Sequence, residues 1–523
     1  MCIRDSISDG VVAFDREMNY TYINARGAAL LTVPVADAAA VRSDSPIVKG
    51  NASASGYMTL LLRGGRAVIE GIRPSEAARR ELAAQLGAWF ELASAKRARL
   101  KKTSLEVATP APELKGAFTT NVGGAVRDMV VVGGAPSPNV IGPRGARATT
   151  ENAFGERVPP LICVAEQNVI HLLGSDGQEL RQMRTDGRIR QLHWWSEHRL
   201  LLAGCEDEKV CAFDLAGARK WTFVSEMDPA VFRAAKQYWF KSAPGHEGIH
   251  GVGSGVFLNG KSQAFVGSAC TLEIIDENGK LLKRLPQFWG TVYKFALVPG
   301  PEGSVNLLAS RKITDRPSLG VINNRTLYPA PRGFDGVPAG HTHVGGWMDQ
   351  TRPHIFVEDL DGDGKLEVVS EITGAWNRVT VWDLQGKPLY NVQFGPGARG
   401  GRDICDLDLG DLDGDGKKEM IAALSSGLVV ALNHRCEKMW SRRLSSPPVA
   451  LKVAAQSIIV ATEDGGVLLL DKHGRVVKQG KLNGRPTAIA EMTTAVVVLA
   501  SDKGEVKAFP VERPKSLPRL APQ

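Results

Sequence analysis

VTVWDLQGKPLYNV, residues Val379–Val392, holds the fold in miniature. A β-branched apolar run leads to Asp383, a turn containing Gly386 follows, and a second run with apolar residues leaves it. Strand-type residues on both sides of a glycine turn read as a β-hairpin, and the runs are too short for helices. The phrase returns as IHLLGSDGQELRQM (170–183), VCAFDLAGARKWTF (210–223), LEIIDENGKLLKRL (272–285), VVALNHRCEKMWSR (429–442) and VLLLDKHGRVVKQG (467–480). LGVINNRTLYP (319–329) is a worn copy, and GEVKAFPVE (504–512) is a first half alone. The turn positions Gly177, Gly217, Gly279, Arg325, Gly386, Cys436 and Gly474 stand 38 to 62 residues apart. The lower end of that range is the period of a four-stranded propeller blade. Two further apolar runs precede several hairpins, such as HIFVEDL and LEVVSEI, or DICDLDL and EMIAAL. One such sheet cannot cover both of its own faces, so the repeats must stack side by side. The expectation is a mainly β protein, a β-propeller of seven or eight blades over residues 159–513 with a tail at 514–523. The strand missing from the last repeat is expected from the N-terminal side, in DMVVVGG (Asp128–Gly134).

Upstream, residues 7–74 read as the end of a truncated, β-rich, sandwich-like domain, because VVAFDREMNYTYIN and GYMTLLLRGGRAVIEGI are strand-like with Gly turns. Residues 75–102 read as one helix: Ser75 can cap it, Glu76 suits its positive end, and Leu82, Leu86, Trp89 and Ala93 share a face. Residues 103–158 read as linker or extended chain. MCIRDS, residues 1–6, resembles a translated sequencing adaptor and is set aside as an artefact; this implies that the natural chain continues upstream. Of the seven cysteines, Cys163, Cys205, Cys211, Cys270, Cys405 and Cys436 remain, none in a C-x-x-C pair, and they read as buried free thiols. A net charge of +8 on 523 residues permits an acidic partner and gives no ground for nucleic acid. No run of 18 apolar residues is present, so no membrane span is expected.

Two acidic turns stand apart from the repeats. DLDGDGKLEVV runs from Asp359 to Val369, and DLDGDGKKEMI from Asp411 to Ile421. Alternating aspartates in a tight turn can converge several oxygens on one point, which is what a hard dication of six to eight oxygen ligands requires. The donor sets are Asp359, Asp361, Asp363, the Lys365 carbonyl and Glu367, and Asp411, Asp413, Asp415, the Lys417 carbonyl and Glu419. Without a cation, four carboxylates this close repel one another. An EF-hand needs Glu at position twelve and flanking helices; here Ser370 and Ala422 hold that position and the flanks are strand-like. The spacing resembles the FG-GAP/VCBS class of integrin-like calcium-loop propellers, and CAFDLAGARKWTF resembles quinoprotein-like and WD40-like repeats. The resemblance implies two structural Ca²⁺ sites in loops joining the two inner strands of a blade. A closed cage leaves no open position for substrate, which argues against a catalytic metal.

Ligands of such rings bind where loops lead into the innermost strands. SAPGHEGIHGVGSG, PAGHTHVGGWMD and GPGARGGRD bring His246, His250, His341, His343, Trp347 and Arg402 to such loops, a set suited to an anionic or polyhydroxylated ligand. No G-x-S-x-G, H-E-x-x-H, P-loop or dinucleotide fingerprint occurs, and no catalytic residue stands out. The expectation is a monomeric, calcium-stabilised binding module of a secreted or periplasmic bacterial protein that takes a protein or glycan ligand on the propeller face. The rival readings are a quinoprotein-like dehydrogenase, which would carry a vicinal cysteine pair absent here, and the accessory half of a polysaccharide-active enzyme.

Overall fold

A computed structural model describes residues 2–3, 12–14, 20–23, 59–63, 66–70, 111–133, 159–226, 248–311, 320–327, 334, 336–339, 353–373, 377–394 and 404–511. The chain divides into two compact units, Met1–Pro110 with Gly340–Thr342, and the remainder. In the first unit, Cys2–Ile3, Val12–Phe14, Tyr20–Ile23, Thr59–Arg63 and Arg66–Glu70 form one antiparallel sheet in chain order. The helix expected over 75–102 lies outside the described residues.

The second unit is an eight-bladed β-propeller. Blade 1 comprises Val126–Val132, Leu161–Glu166, Val169–Leu173 and Glu179–Arg184, and blade 2 comprises Ile189–Trp195, Leu200–Cys205, Lys209–Phe213 and Arg219–Val224. Blades 5, 6 and 7 are as regular, starting at Phe356, Ile404 and Pro448. Blades 3 and 4 are fused. The long strand Leu281–Pro299 pairs through Leu281–Pro286 with Ser262–Ile275 and through Val292–Pro299 with Val305–Arg311. Pairing alone therefore counts one sheet where packing makes two blades. The cores settle the number: eight apolar clusters each join one blade to the next, and the last joins Val498 and Val506 of blade 8 back to Val126 and Met129 of blade 1.

Each of the six full phrases forms the third and fourth strands of its blade, and the turn between them has a common mechanism in several of them. The side chains of Asp276, Asp383, Asn433 and Asp471 accept N–H bonds from residues two and four further on. The residue three on then takes positive φ, as at Gly279, Gly386 and Gly474, with Cys436 doing so at φ 62°. Gly474 is required twice over. A Cβ there would stand 2.7 Å from the Trp440 ring of the preceding blade, whose Nε1 donates to Lys472 O at 2.7 Å. Trp221 clasps Glu277 O and Gly279 of blade 3 in the same way. The worn copy differs, placing positive φ at Leu327 instead of Arg325.

Closure departs from the expected strand. Phe118–Asn121 pairs with Glu505–Pro510 and completes blade 8, while Asp128–Val132 of the expected stretch falls in the innermost strand of blade 1. The reason is exposure: an outer strand needs one wet face, as Phe118–Asn121 has, and the Met129–Val132 run has none fully exposed. The ring thus begins at residue 111, upstream of the expected 159. Just before closing, the chain adds a parallel edge to blade 7, with Leu114 N–H bonded to Gln479 O at 2.6 Å and Gln479 N–H to Pro112 O at 2.9 Å. Cys163, Cys205, Cys211 and Cys436 are buried free thiols and Cys405 is half-buried. Burial pushes Cys163 up to about 12.

Gly474→Ala should therefore lose more stability than Gly303→Ala. Both glycines have φ near +74°, and nothing lies within 4 Å of a Cβ at Gly303. Urea unfolding should show about 1–2 kcal/mol lost at Gly303 from backbone strain and about 1–3 kcal/mol more at Gly474 from the indole contact. Equal losses would count against the indole clasp.

Candidate metal centres and the inner-strand network

The two acidic turns join the first and second strands of blades 5 and 6: Phe356–Glu358 to Glu367–Ile372, and Ile404–Gly410 to Glu419–Leu424. Each turn is shaped by its own first aspartate. Asp359 accepts N–H bonds from Gly362 at 2.8 Å and Gly364 at 2.9 Å, and Asp411 does the same for Gly414 and Gly416. All four glycines have positive φ near 80°, so the reversal that gathers the oxygens depends on them.

Asp359, Asp361 and Glu367 each place a carboxylate oxygen within 4.8 Å of the others, and Asp411, Asp413 and Glu419 do likewise. The glutamates close the turns from the second strand. Glu367 Oε2 accepts the Leu360 N–H at 3.0 Å, and Glu419 Oε2 accepts the Leu412 N–H at 2.8 Å. Glu419 is only 4% exposed. Burial, followed by the surrounding aspartates, raises the pKa of both glutamates. Asp363 and Asp415 stand outside the clusters. Asp363 accepts both the N–H and the ammonium of Lys365, at 2.8 and 2.7 Å, and Asp415 accepts the Lys417 N–H at 2.8 Å. The oxygen-only donor sets suit a hard dication.

The two loops touch. Lys418 of the second donates its N–H to Leu360 O of the first at 2.9 Å, and its ammonium pairs with Glu358. Gly362 and Gly416 O also approach, with 3.4 Å from a would-be Cβ.

Of the residues assigned to a ligand mouth, the structure describes His250 alone. His250 is half-buried before Gly251–Val256, and its N–H bonds Gly267 O at 2.8 Å. His246, His341, His343, Trp347 and Arg402 lie outside the described residues.

A polar network on the inner strands was not anticipated. The first strands of successive blades neighbour one another without forming a ladder, so their free N–H groups need other partners. Side chains of the preceding blade supply them: Asp128 to Leu192 N at 2.7 Å, Gln191 to Val252 N at 2.9 Å, Asp406 to Leu451 N at 2.8 Å and Asp408 to Val453 N at 2.7 Å. Lys452 pairs with Asp408 at 2.9 Å, and His354 bridges Glu371 at 2.7 Å and Asp406 at 3.3 Å. The alternating acids of DICDLDL are the sequence signal that could have revealed it. Burial drives His193 down to about 4, and Lys294 adds to the shift. Burial lifts Asp406 to about 6, against the pull of His354. At His354 burial opposes the charge, but Glu371 and Asp406 outweigh it and raise the pKa.

Residues 341–422 match the FG-GAP-like repeat family, a stretch that contains the first acidic turn and the second through Glu419. No curated protein sequence matches the chain. Among solved structures, the computationally designed Ika8 protein is 15% identical, with a TM-score of 0.50 over 76% of this chain and all of that one. Sqt1 of Saccharomyces cerevisiae is 11% identical, with a TM-score of 0.52 over 77% of this chain and all of that one. At such identities the likeness speaks for the fold alone. The fold is a β-propeller, and its residues 341–422 are similar to FG-GAP-like repeats. No described helix is long and apolar enough to cross a membrane.

The pKa of Asp406 and of His354 are both raised on folding, so the native state binds more protons than the unfolded chain and stability falls as pH rises. The Asp406 part is lost between about 4 and 6, and the His354 part above about 6.5. His354→Gln should flatten the upper part of a plot of unfolding midpoint against pH in chelator. A midpoint that rises between pH 6.5 and 8 in the unsubstituted chain would contradict the assignment.

Proposed function

We propose that this chain is a calcium-stabilised propeller that serves as a binding module of a secreted or periplasmic protein. One observation carries the calcium reading: Glu419, 4% exposed, has a carboxylate oxygen within 4.8 Å of carboxylate oxygens of Asp411 and Asp413. Carboxylates gathered this closely repel one another unless a cation joins them. The ion would be held by Asp359, Asp361 and Glu367 in one turn and Asp411, Asp413 and Glu419 in the other. The Lys365 and Lys417 carbonyls would complete the sets, with Asp363 and Asp415 once they turn from their lysines. The match to FG-GAP-like repeats supports this reading. The weak calcium affinity usual in external modules fits a calcium-rich compartment.

In the folded chain, 2 mM Ca²⁺ should raise the unfolding midpoint over EGTA, by about 2.7 kcal/mol for each site whose Kd lies a hundredfold below that concentration. Asp361→Asn with Asp413→Asn should abolish the difference. Because the glutamate pKa values are raised, the ion displaces protons and affinity should climb with pH from 5 to 7. Identical midpoints in Ca²⁺ and EGTA would defeat the reading.

The loops that carry His246, His250, His341, His343, Trp347 and Arg402 would supply guanidinium, imidazole and indole groups suited to an acidic glycan or a protein loop. A sulfated or uronate-containing oligosaccharide should bind the unsubstituted chain and lose at least about tenfold in affinity in Arg402→Ala, one charge-assisted contact being worth roughly 1.5–3 kcal/mol. Equal binding by both chains would remove the mouth from this role.

A further inference from the structure

We infer that the two acidic turns form one coupled pair, in which filling either site prepares the other, and that Lys418 is the residue that couples them. The inference rests on the calcium reading above. Lys418 stands immediately before Glu419, the buried closing ligand of the second turn, and spends both its polar groups on the first. Its N–H holds Leu360 O at 2.9 Å, and its ammonium holds Glu358, the residue before Asp359. Leu360 is itself fixed through its N–H by Glu367, the closing ligand of the first turn. A continuous chain of bonds thus runs Glu367, Leu360, Lys418, Glu419, with one closing glutamate at each end.

The link is not a property of every such turn. Leu366 is the counterpart of Lys418 in the first turn, and it packs instead against the cluster around Val298, Leu308 and Trp382 between blades 4 and 5. At this position the first turn is therefore seated on apolar packing, and the second is tied to the first. The bonds within each turn and this strut hold the loops against the repulsion of their carboxylates. An ion in either turn fixes its glutamate and its backbone, and through Lys418 removes part of the ordering cost that the other must meet on binding. The unequal lysines make an order of filling visible: Lys365 occupies Asp363 with its ammonium in the first turn, and no such ammonium bond is made to Asp415 among the described residues. The second turn fills first and the first follows.

Isothermal titration of the full chain with Ca²⁺ alone tests this, with circular dichroism confirming that each variant is folded. Asp413→Asn, which disables the second site, should weaken the first site at least about fivefold, the lower end of ordinary coupling. Lys418→Met keeps the stem, the backbone N–H bond to Leu360 O and every ligand, and removes the ammonium bond to Glu358. In that chain the first-site affinity should fall toward that in Asp413→Asn. A first-site affinity unchanged within twofold by Asp413→Asn overturns the coupling while leaving the calcium reading intact. Coupling undiminished by Lys418→Met overturns the role of the Lys418 ammonium. No heat of Ca²⁺ binding in the unsubstituted chain overturns the calcium reading itself, and the coupling with it.

Discussion

No sheet in this ring can face water on both sides. The second and third strands of blades 2, 6 and 7 are buried nearly throughout, so each blade must be covered by one neighbour on each side. Burial of that apolar surface is the dominant favourable term. It is satisfied only when eight inter-blade clusters close on themselves. Every other feature follows from that requirement. The last blade must take its outer strand from the far end of the chain, because a ring with an unfilled wedge would leave two faces wet.

Stacking sheets face to face leaves a second problem on the axis. The innermost strands have one edge unpaired, and their N–H groups lie too deep for bulk water. Asp128, Gln191, Asp406 and Asp408 meet those groups from the preceding blade. Carboxylates serve well because a charge-assisted bond to a buried N–H is stronger than a neutral one. The cost is a set of buried charges that must be balanced, which is the work of Lys452 and His354. On the outer side the same neighbours are tied by Trp221 and Trp440, each reaching into the turn of the next blade. Inner and outer bonds both run between blades, so they reinforce the contact that the apolar faces demand.

The acidic turns use the frame differently. They sit where first and second strands meet, so their geometry is inherited from a rigid hairpin, and their closing glutamates start the second strands. The two turns touch because blades 5 and 6 are adjacent in the ring. The contact between candidate ion sites is a by-product of stacking that Lys418 puts to use.

The sequence by itself determined a good deal. Period-two strands with an Asp…Gly turn are local signals, and the third and fourth strands formed where they were read. The alternating aspartates and the glutamate eight residues after the first are likewise local, and these two turns sit between inner strands as the resemblance to FG-GAP/VCBS loops implied. Tertiary structure decided what depends on distant partners. Phe118–Asn121 becomes the closing strand because its alternate residues suit an outer edge, while Val126–Val132 goes inside. The fused blades 3 and 4 hide one boundary in a continuous strand, so only the cores count eight. The inner network and the reach of Lys418 to Leu360 join residues tens of positions apart. A sequence shows which side chains can bond; which of them meet is settled only when the faces of neighbouring blades are buried together.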